Sequence, residues 1–141
     1  MKEYNMAFFT VCQNLFIVVK EEFSEDKALD IFSKVLERGL RAAYDSMGFT
    51  KGNVQDFARV LKERDESVGL YVEFPEISEN KIIYQFHTDP FPGLKGYVYH
   101  KKLDDTYIAF KVRYLLGDEW RYENTKHFWD GDDFTEYVIT K

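Results

Sequence analysis

The sequence predicts an α+β fold in which N-terminal helices pack on an antiparallel β-sheet. In the N-terminal half, apolar residues recur at the 3.6-residue period of a helix. Two runs, around Val72 and around Tyr84, then alternate with the period of two that is typical of strands. A helical pattern and a second strand pair follow, so we expect the order ααα-ββ-α-ββ, with one helix inserted late.

Composition limits the classes of function. A chain of 141 residues is predicted to form a single domain, 1–141. Apolar residues make up 45% of it and aromatic residues 18%, which predicts an aromatic core and an aromatic wall for any pocket. The net charge of −6 argues against a nucleic-acid partner, because such domains usually carry a basic stripe.

Cys12 is the only cysteine, which excludes an internal disulfide and a cysteine-based metal cluster within one chain. This fits a cytoplasmic location. Polar residues interrupt the first apolar stretch, so we expect no signal peptide and no membrane partner. Cys12 falls on an apolar helical face, where it is expected to be a small buried hydrophobe.

Three helices are expected before the first strand. The first covers residues 4–22, and the second runs from about 25 to 46, with Ser24 as its N-cap and Gly48 as its left-handed stop. Asn53 is expected to cap the third helix. The charged run at the end of the third helix, 62–66, is interpreted as a solvated helix end.

The small residues Gly39 and Ala43 lie one turn apart on the second helix, where another helix or a second subunit can approach closely. The first helix is apolar over a broad face. A four-stranded sheet cannot cover all of these apolar faces, and one helix surface stays uncovered. We therefore expect a homodimer.

The first strand pair is predicted at 70–74 and 82–87, joined through 75–80. His87 shares a face with Gln85, opposite the apolar face of its strand. It therefore faces a cleft or solvent, and a plain exposed histidine is the simpler interpretation.

The segment after the hairpin is less regular. Residues 97–100 suit a short strand, and Asp104 or Asp105 suits the N-cap of a following helix that ends at Gly117. The same segment also alternates as a strand would, and we favour the helix. The final strands are predicted at 120–129 and 134–139.

An Asp-Gly pair between the last two strands favours a hairpin there. His127 falls within the first of these strands and is expected to be a surface or sheet-face residue. The three histidines of the chain lack the spacing of a metal-binding motif.

Asp89 stands out at the end of the second strand, before Pro90 and two residues ahead of Phe91-Pro92. Each proline fixes its own φ and disfavours the helical region for the residue before it, so Asp89 and Phe91 are held extended. The carboxylate is therefore aimed in one direction. An Asp that simply accepts N–H groups of a proline turn is the plainer alternative.

The segment from Thr88 to Phe91, the Asp104/Asp105 pair opening a helix and the Gly131-Asp132-Asp133 run before a final strand resemble the L-2-amino-thiazoline-4-carboxylate hydrolase-like family. That family commonly carries Cys-Pro at the first site and Gly-Asp-x-x-Cys at the last. Asp89 and Thr135 occupy the two cysteine positions here.

The resemblance implies a small-molecule hydrolase that acts on a C–N or C–S bond of a small heterocycle. Asp89 would act as the general base or orient the attacking water, with His87 or His100 as its proton partner. The implied substrate-binding residues are Phe91, Tyr99, Asp104 and Thr135.

Both cysteine positions hold oxygen donors, so we expect no zinc site, no iron–sulfur cluster and no other cofactor. They also favour the alternative function, a non-catalytic small-ligand binding or sensing domain similar to vinyl-reductase-type domains, acting as a homodimer. A closed, aromatic pocket around Asp89 would favour binding, and an open, polar one hydrolysis. We further expect the Thr135 hydroxyl to donate a hydrogen bond to Asp89.

Overall fold

The computed structural model describes residues 2–141 and has the predicted order of elements. The helices are α1 (Met6–Glu22), α2 (Glu25–Met47), α3 (Val54–Ser67) and α4 (His100–Leu115). The strands are β1 (Val72–Ile77), β2 (Lys81–Phe86), β3 (Arg121–Lys126) and β4 (Thr135–Thr140). The α+β class, with one helix inserted before the last strand pair, is therefore confirmed.

The four strands form one antiparallel sheet in the order β1-β2-β4-β3. One face carries fully buried side chains, among them Ile82, Tyr84, Tyr137 and Ile139. The core lies between this face and the helices, with α2 packed between α1 and α4. Among residues 2–141, no helix is long and apolar enough to cross a membrane.

The helix caps form as the sequence predicts. The Ser24 side chain accepts a hydrogen bond from the Lys27 N–H, and the Asn53 side chain accepts one from the Asp56 N–H. These bonds satisfy backbone donors that have no partner within the helix. Gly48 ends α2 with φ of 75°, a backbone conformation that favours glycine.

The first strand differs from its prediction, because it continues through Pro75 to Ile77. Pro75 lacks a backbone donor, yet β1 lies at the edge of the sheet, and its pairing with β2 is irregular between Glu73 and Glu76. An edge strand with a bulge is where a sheet tolerates proline.

The start of α4 was predicted wrongly. Residues 97–99 form no strand, and the helix begins at His100 with its first backbone bond from the Leu103 N–H to the Tyr99 carbonyl. Asp104 and Asp105 therefore lie inside α4 and cap nothing. The Asp104 carboxylate is instead committed to partners from other elements, which outweighs its local capping tendency.

The third strand is shorter than predicted. It ends at Lys126, and a 3-10 turn at Phe128–Asp130 follows. The pairing with β4 shifts register between Asn124 and Lys126. His127 then leaves the sheet surface and is buried, with 4% of its area exposed. The prediction of a surface or sheet-face histidine was wrong.

Candidate functional site

A cavity of about 250 Å³ lies between the helices and the sheet. Most of its wall is apolar or aromatic, including Phe9 and Cys12 of α1, Leu36 and Leu40 of α2, and Phe91. Gly39 also lines it, and a Cβ added there would meet no atom within 4 Å. Among residues 2–141, no neighbouring element fills this position, and the missing side chain of Gly39 therefore leaves open space.

A buried polar group forms part of the cavity wall. The Lys111 ammonium lies 3.4 Å from the Asp65 carboxylate and 3.1 Å from the Tyr84 hydroxyl, which itself donates to Asp65. The side chains of the ion pair are each 4% exposed. Burial lowers the pKa of Lys111, and the charge of Asp65 opposes this effect. Burial also raises the pKa of Tyr84 well above its usual range.

The sequence interpretation missed this group. Asp65 belongs to the run that was assigned to a solvated helix end, and that assignment was wrong for this residue. A signal was present, because Phe57, Leu61 and Asp65 recur every four residues on one helical face. A carboxylate on a buried face requires a partner.

A second polar cluster surrounds Asp104 on the other side of a wall that includes Phe91 and Tyr107. One Asp104 oxygen accepts hydrogen bonds from His127 Nε2, at 2.9 Å, and from the Tyr137 hydroxyl. The other accepts from the Tyr107 hydroxyl at 3.1 Å. Three donors thus converge on one buried carboxylate. Asp104 has 5% of its area exposed.

The hydrogen bonds of His127 fix its tautomer. Its Nδ1 accepts a hydrogen bond from the Trp129 N–H at 3.0 Å, so Nδ1 carries no proton. Its Nε2 must then carry the proton that it donates to Asp104. Both ring nitrogens of His127 are therefore occupied by hydrogen bonds.

His100 stacks on His127 with ring centroids 4.0 Å apart. Its Nε2 lies 3.0 Å from the Asp130 carboxylate, while its Nδ1 is buried and has no hydrogen-bond partner among the described residues. The start of α4 and the turn after β3 place the two rings together. No spacing in the sequence predicts this pair.

Asp89 lies beside this cluster. Its carboxylate accepts hydrogen bonds from the Phe91 N–H at 3.1 Å and the Trp129 indole N–H at 2.8 Å. Burial raises its pKa, although both hydrogen bonds act in the opposite direction. The space that Asp89, Asp104 and His127 line is about 10 Å³, which is the size of a single water.

The structure separates the predicted site residues into groups. Asp89, Phe91, Asp104 and Thr135 line the small space. His100 contacts the cluster by stacking on His127, and its Nε2 lies beside Asp130. His87 instead contacts Gln85, Glu73 and Phe134. Tyr99 is 56% exposed.

The expected hydrogen bond between Thr135 and Asp89 is not formed, although both residues line the same space. The Trp129 indole donates to the Asp89 carboxylate, and the Thr135 hydroxyl accepts from the Phe128 N–H. The 3-10 turn after β3 brings both donors into place, and the sequence interpretation had assigned this turn to a strand.

His100, Asp104 and His127 each offer a potential metal-ligand atom, and these atoms lie within 4.8 Å of one another. We nevertheless expect no stoichiometric zinc. A neutral imidazole binds metal through an unprotonated nitrogen, and the Trp129 N–H occupies the one that His127 has.

Elemental analysis of protein purified without a metal-affinity step tests this prediction. One equivalent of zinc or iron per chain would contradict it.

The raised pKa of Asp89 predicts a pH dependence of stability. A carboxyl group whose pKa is higher in the folded state than in the unfolded state binds more protons when folded, so its contribution to stability decreases as pH rises from about 3.8 through the folded-state pKa. The free energy of unfolding of wild type should therefore fall over this range relative to that of Asp89→Asn, which does not titrate.

Urea unfolding of both proteins between pH 3 and 7 measures this difference. A difference that does not change with pH would contradict the assigned burial of Asp89. Asp118→Asn is the matched control at an exposed position.

Neither the protein-family models nor the curated proteins that were compared with the chain contain a match.

Proposed function

We propose that this protein binds a small, largely apolar molecule in the 250 Å³ cavity between its helices and its sheet. The observation that carries the proposal is the wall of aromatic and aliphatic side chains around a space left open at Gly39. An apolar cavity of about 150 Å³ suffices for benzene, and drug-sized ligands occupy about 300–1,000 Å³. The ligand should therefore be somewhat larger than benzene.

The surroundings of Asp89 favour binding over hydrolysis. The space beside its carboxylate has room for about one water, and Phe86, Tyr107 and Trp129 help to enclose it. A heterocyclic substrate would have to displace these rings before it reached Asp89.

Hydrolysis is the second candidate function. Asp89, Asp104 and His127 converge around a water-sized space, which is an arrangement suited to general acid–base chemistry. If the protein is a hydrolase, it should consume L-2-amino-thiazoline-4-carboxylate, and Asp89→Asn should abolish turnover. Chromatography of the reaction mixture decides this, and no substrate loss beyond the buffer control would remove the candidate for this compound.

Cys12 provides a direct test of the binding proposal, because it is the only cysteine and it lines the cavity. We expect hexanamide, a small neutral probe, to slow the modification of Cys12 by methyl methanethiosulfonate. An unchanged rate at millimolar hexanamide would contradict the proposal.

Gly39 offers a matched pair of variants. Gly39→Leu should occupy part of the cavity and remove the protection by hexanamide, whereas Gly39→Ala should retain it. Either side chain should also stabilise α2 by about 1 kcal/mol, because glycine is a poor helix former. A folding defect therefore should not mask the result.

We also propose that the protein forms a homodimer. Several large apolar side chains of α1 are exposed, with Met6 at 71%, Val11 at 69% and Val18 at 55%. An apolar surface of this kind usually marks a partner. Sedimentation that shows only monomer at tens of micromolar protein would contradict the proposal.

A further inference from the structure

Arg64 lies on the cavity wall, and its positive charge has no ion-pair partner within residues 2–141. Within the described residues, no carboxylate lies within 4.0 Å of its guanidinium, and its one side-chain hydrogen bond is a 3.5 Å contact with Ser67. The guanidinium carbon lies 5.9 Å from the centre of the Phe8 ring, which is partly exposed. Arg64 and Phe8 thus lie where the cavity meets the surface.

The other cation of the cavity wall is already satisfied. The Lys111 ammonium is paired with Asp65 and donates a hydrogen bond to the Tyr84 hydroxyl. It also lies 5.2 Å from the centre of the Phe86 ring. Its charge is therefore compensated inside the protein. A ligand would gain little from placing a negative charge there, because Asp65 would repel it.

The charge of the cavity wall is opposite in sign to that of the protein. Arg64, Asp65 and Lys111 are its charged residues, which gives a net charge of +1, whereas the chain as a whole carries −6. The charge of Arg64 also lowers the pKa of the Cys12 thiol, in opposition to the stronger effect of burial. Its field therefore reaches the apolar interior.

We propose that the ligand is an apolar monocarboxylate whose tail fills the cavity and whose carboxylate pairs with Arg64. The inference rests on the proposed function and adds the chemical class of the ligand. A guanidinium presents paired N–H donors that match the two oxygens of a carboxylate, and its apolar stem packs along a hydrophobic wall. An uncharged ligand of the same shape leaves this cation without a partner.

Calorimetric titration of the 141-residue protein with hexanoate and hexanamide tests the proposal. The two probes have the same apolar tail and nearly the same shape, and they differ in charge. We expect hexanoate to bind about tenfold more tightly at pH 7, as a partly solvated charge-assisted pair would give. Arg64→Gln should abolish this preference, so that the two probes bind the variant with equal affinity.

Arg38→Gln is the matched control, because it removes the same charge from an exposed position on α2 that does not line the cavity. It should retain the tenfold preference. Equal affinity of wild type for the two probes, or a preference that survives in Arg64→Gln, would overturn the monocarboxylate proposal and leave the binding function in place. If neither probe binds and neither protects Cys12, the binding function itself fails, and the monocarboxylate proposal fails with it.

Discussion

Lys111→Met is expected to lower the free energy of unfolding by about 3–5 kcal/mol, because it leaves the Asp65 carboxylate buried without its cation. The two side chains are each 4% exposed, so water cannot take the place of the missing partner. Among the residues that the structure describes, only Tyr84 would remain as a side-chain hydrogen-bond donor to Asp65. Urea unfolding monitored by circular dichroism measures the loss.

Two controls make this prediction specific. Lys34→Met removes a lysine from an exposed pair with Asp30 and should cost no more than about 0.5 kcal/mol. Replacing both members of the buried pair, Asp65→Leu with Lys111→Met, should restore much of the loss, because no unpaired charge remains. A single Lys111→Met variant as stable as Lys34→Met would show that the buried pair is not formed.

Asp104→Asn is expected to lower the free energy of unfolding by about 2–4 kcal/mol, because an amide cannot accept all three donors that converge on this carboxylate. His127, Tyr107 and Tyr137 all donate to Asp104, so the amide N–H₂ group would face at least one donor. Phenolic donors left without an acceptor in the core add to the loss.

The neighbouring residue is the control for Asp104. Asp105 is exposed and accepts one hydrogen bond, from the Tyr122 hydroxyl. Asp105→Asn should therefore cost no more than about 1 kcal/mol. Equal losses for the two variants would contradict the role of Asp104 as the centre of the buried cluster.

The elements of the fold could be predicted from the sequence because their signals are local. Ser24 and Asn53 each cap the helix that begins at the next residue. The alternation around Tyr84 identifies the buried face of β2. The position of Cys12 on an apolar helical face likewise predicted its burial. Each of these signals lies within a few residues of the feature that it predicts.

The polar clusters depend on contacts that no local pattern records. Asp65 and Lys111 are 46 residues apart, and His127 reaches Asp104 only because the register shift in β3 is followed by a tight turn. The sequence does contain a signal for the burial of Lys111, because it lies on the same helical face as Ile108 and Leu115, both of which are buried. That position indicates a buried cation, but it does not identify Asp65 as the partner.

Where a small apolar molecule binds decides between the two candidate functions. Titration of ¹⁵N-labelled protein with hexanamide, followed by amide chemical shifts, measures this directly. If the cavity is the binding site, the amides of Cys12, Leu36, Gly39 and Val68 shift together and saturate with one dissociation constant. Saturable shifts confined to Asp89, Trp129 and Thr135, or no saturable shift at all, would contradict the proposed function.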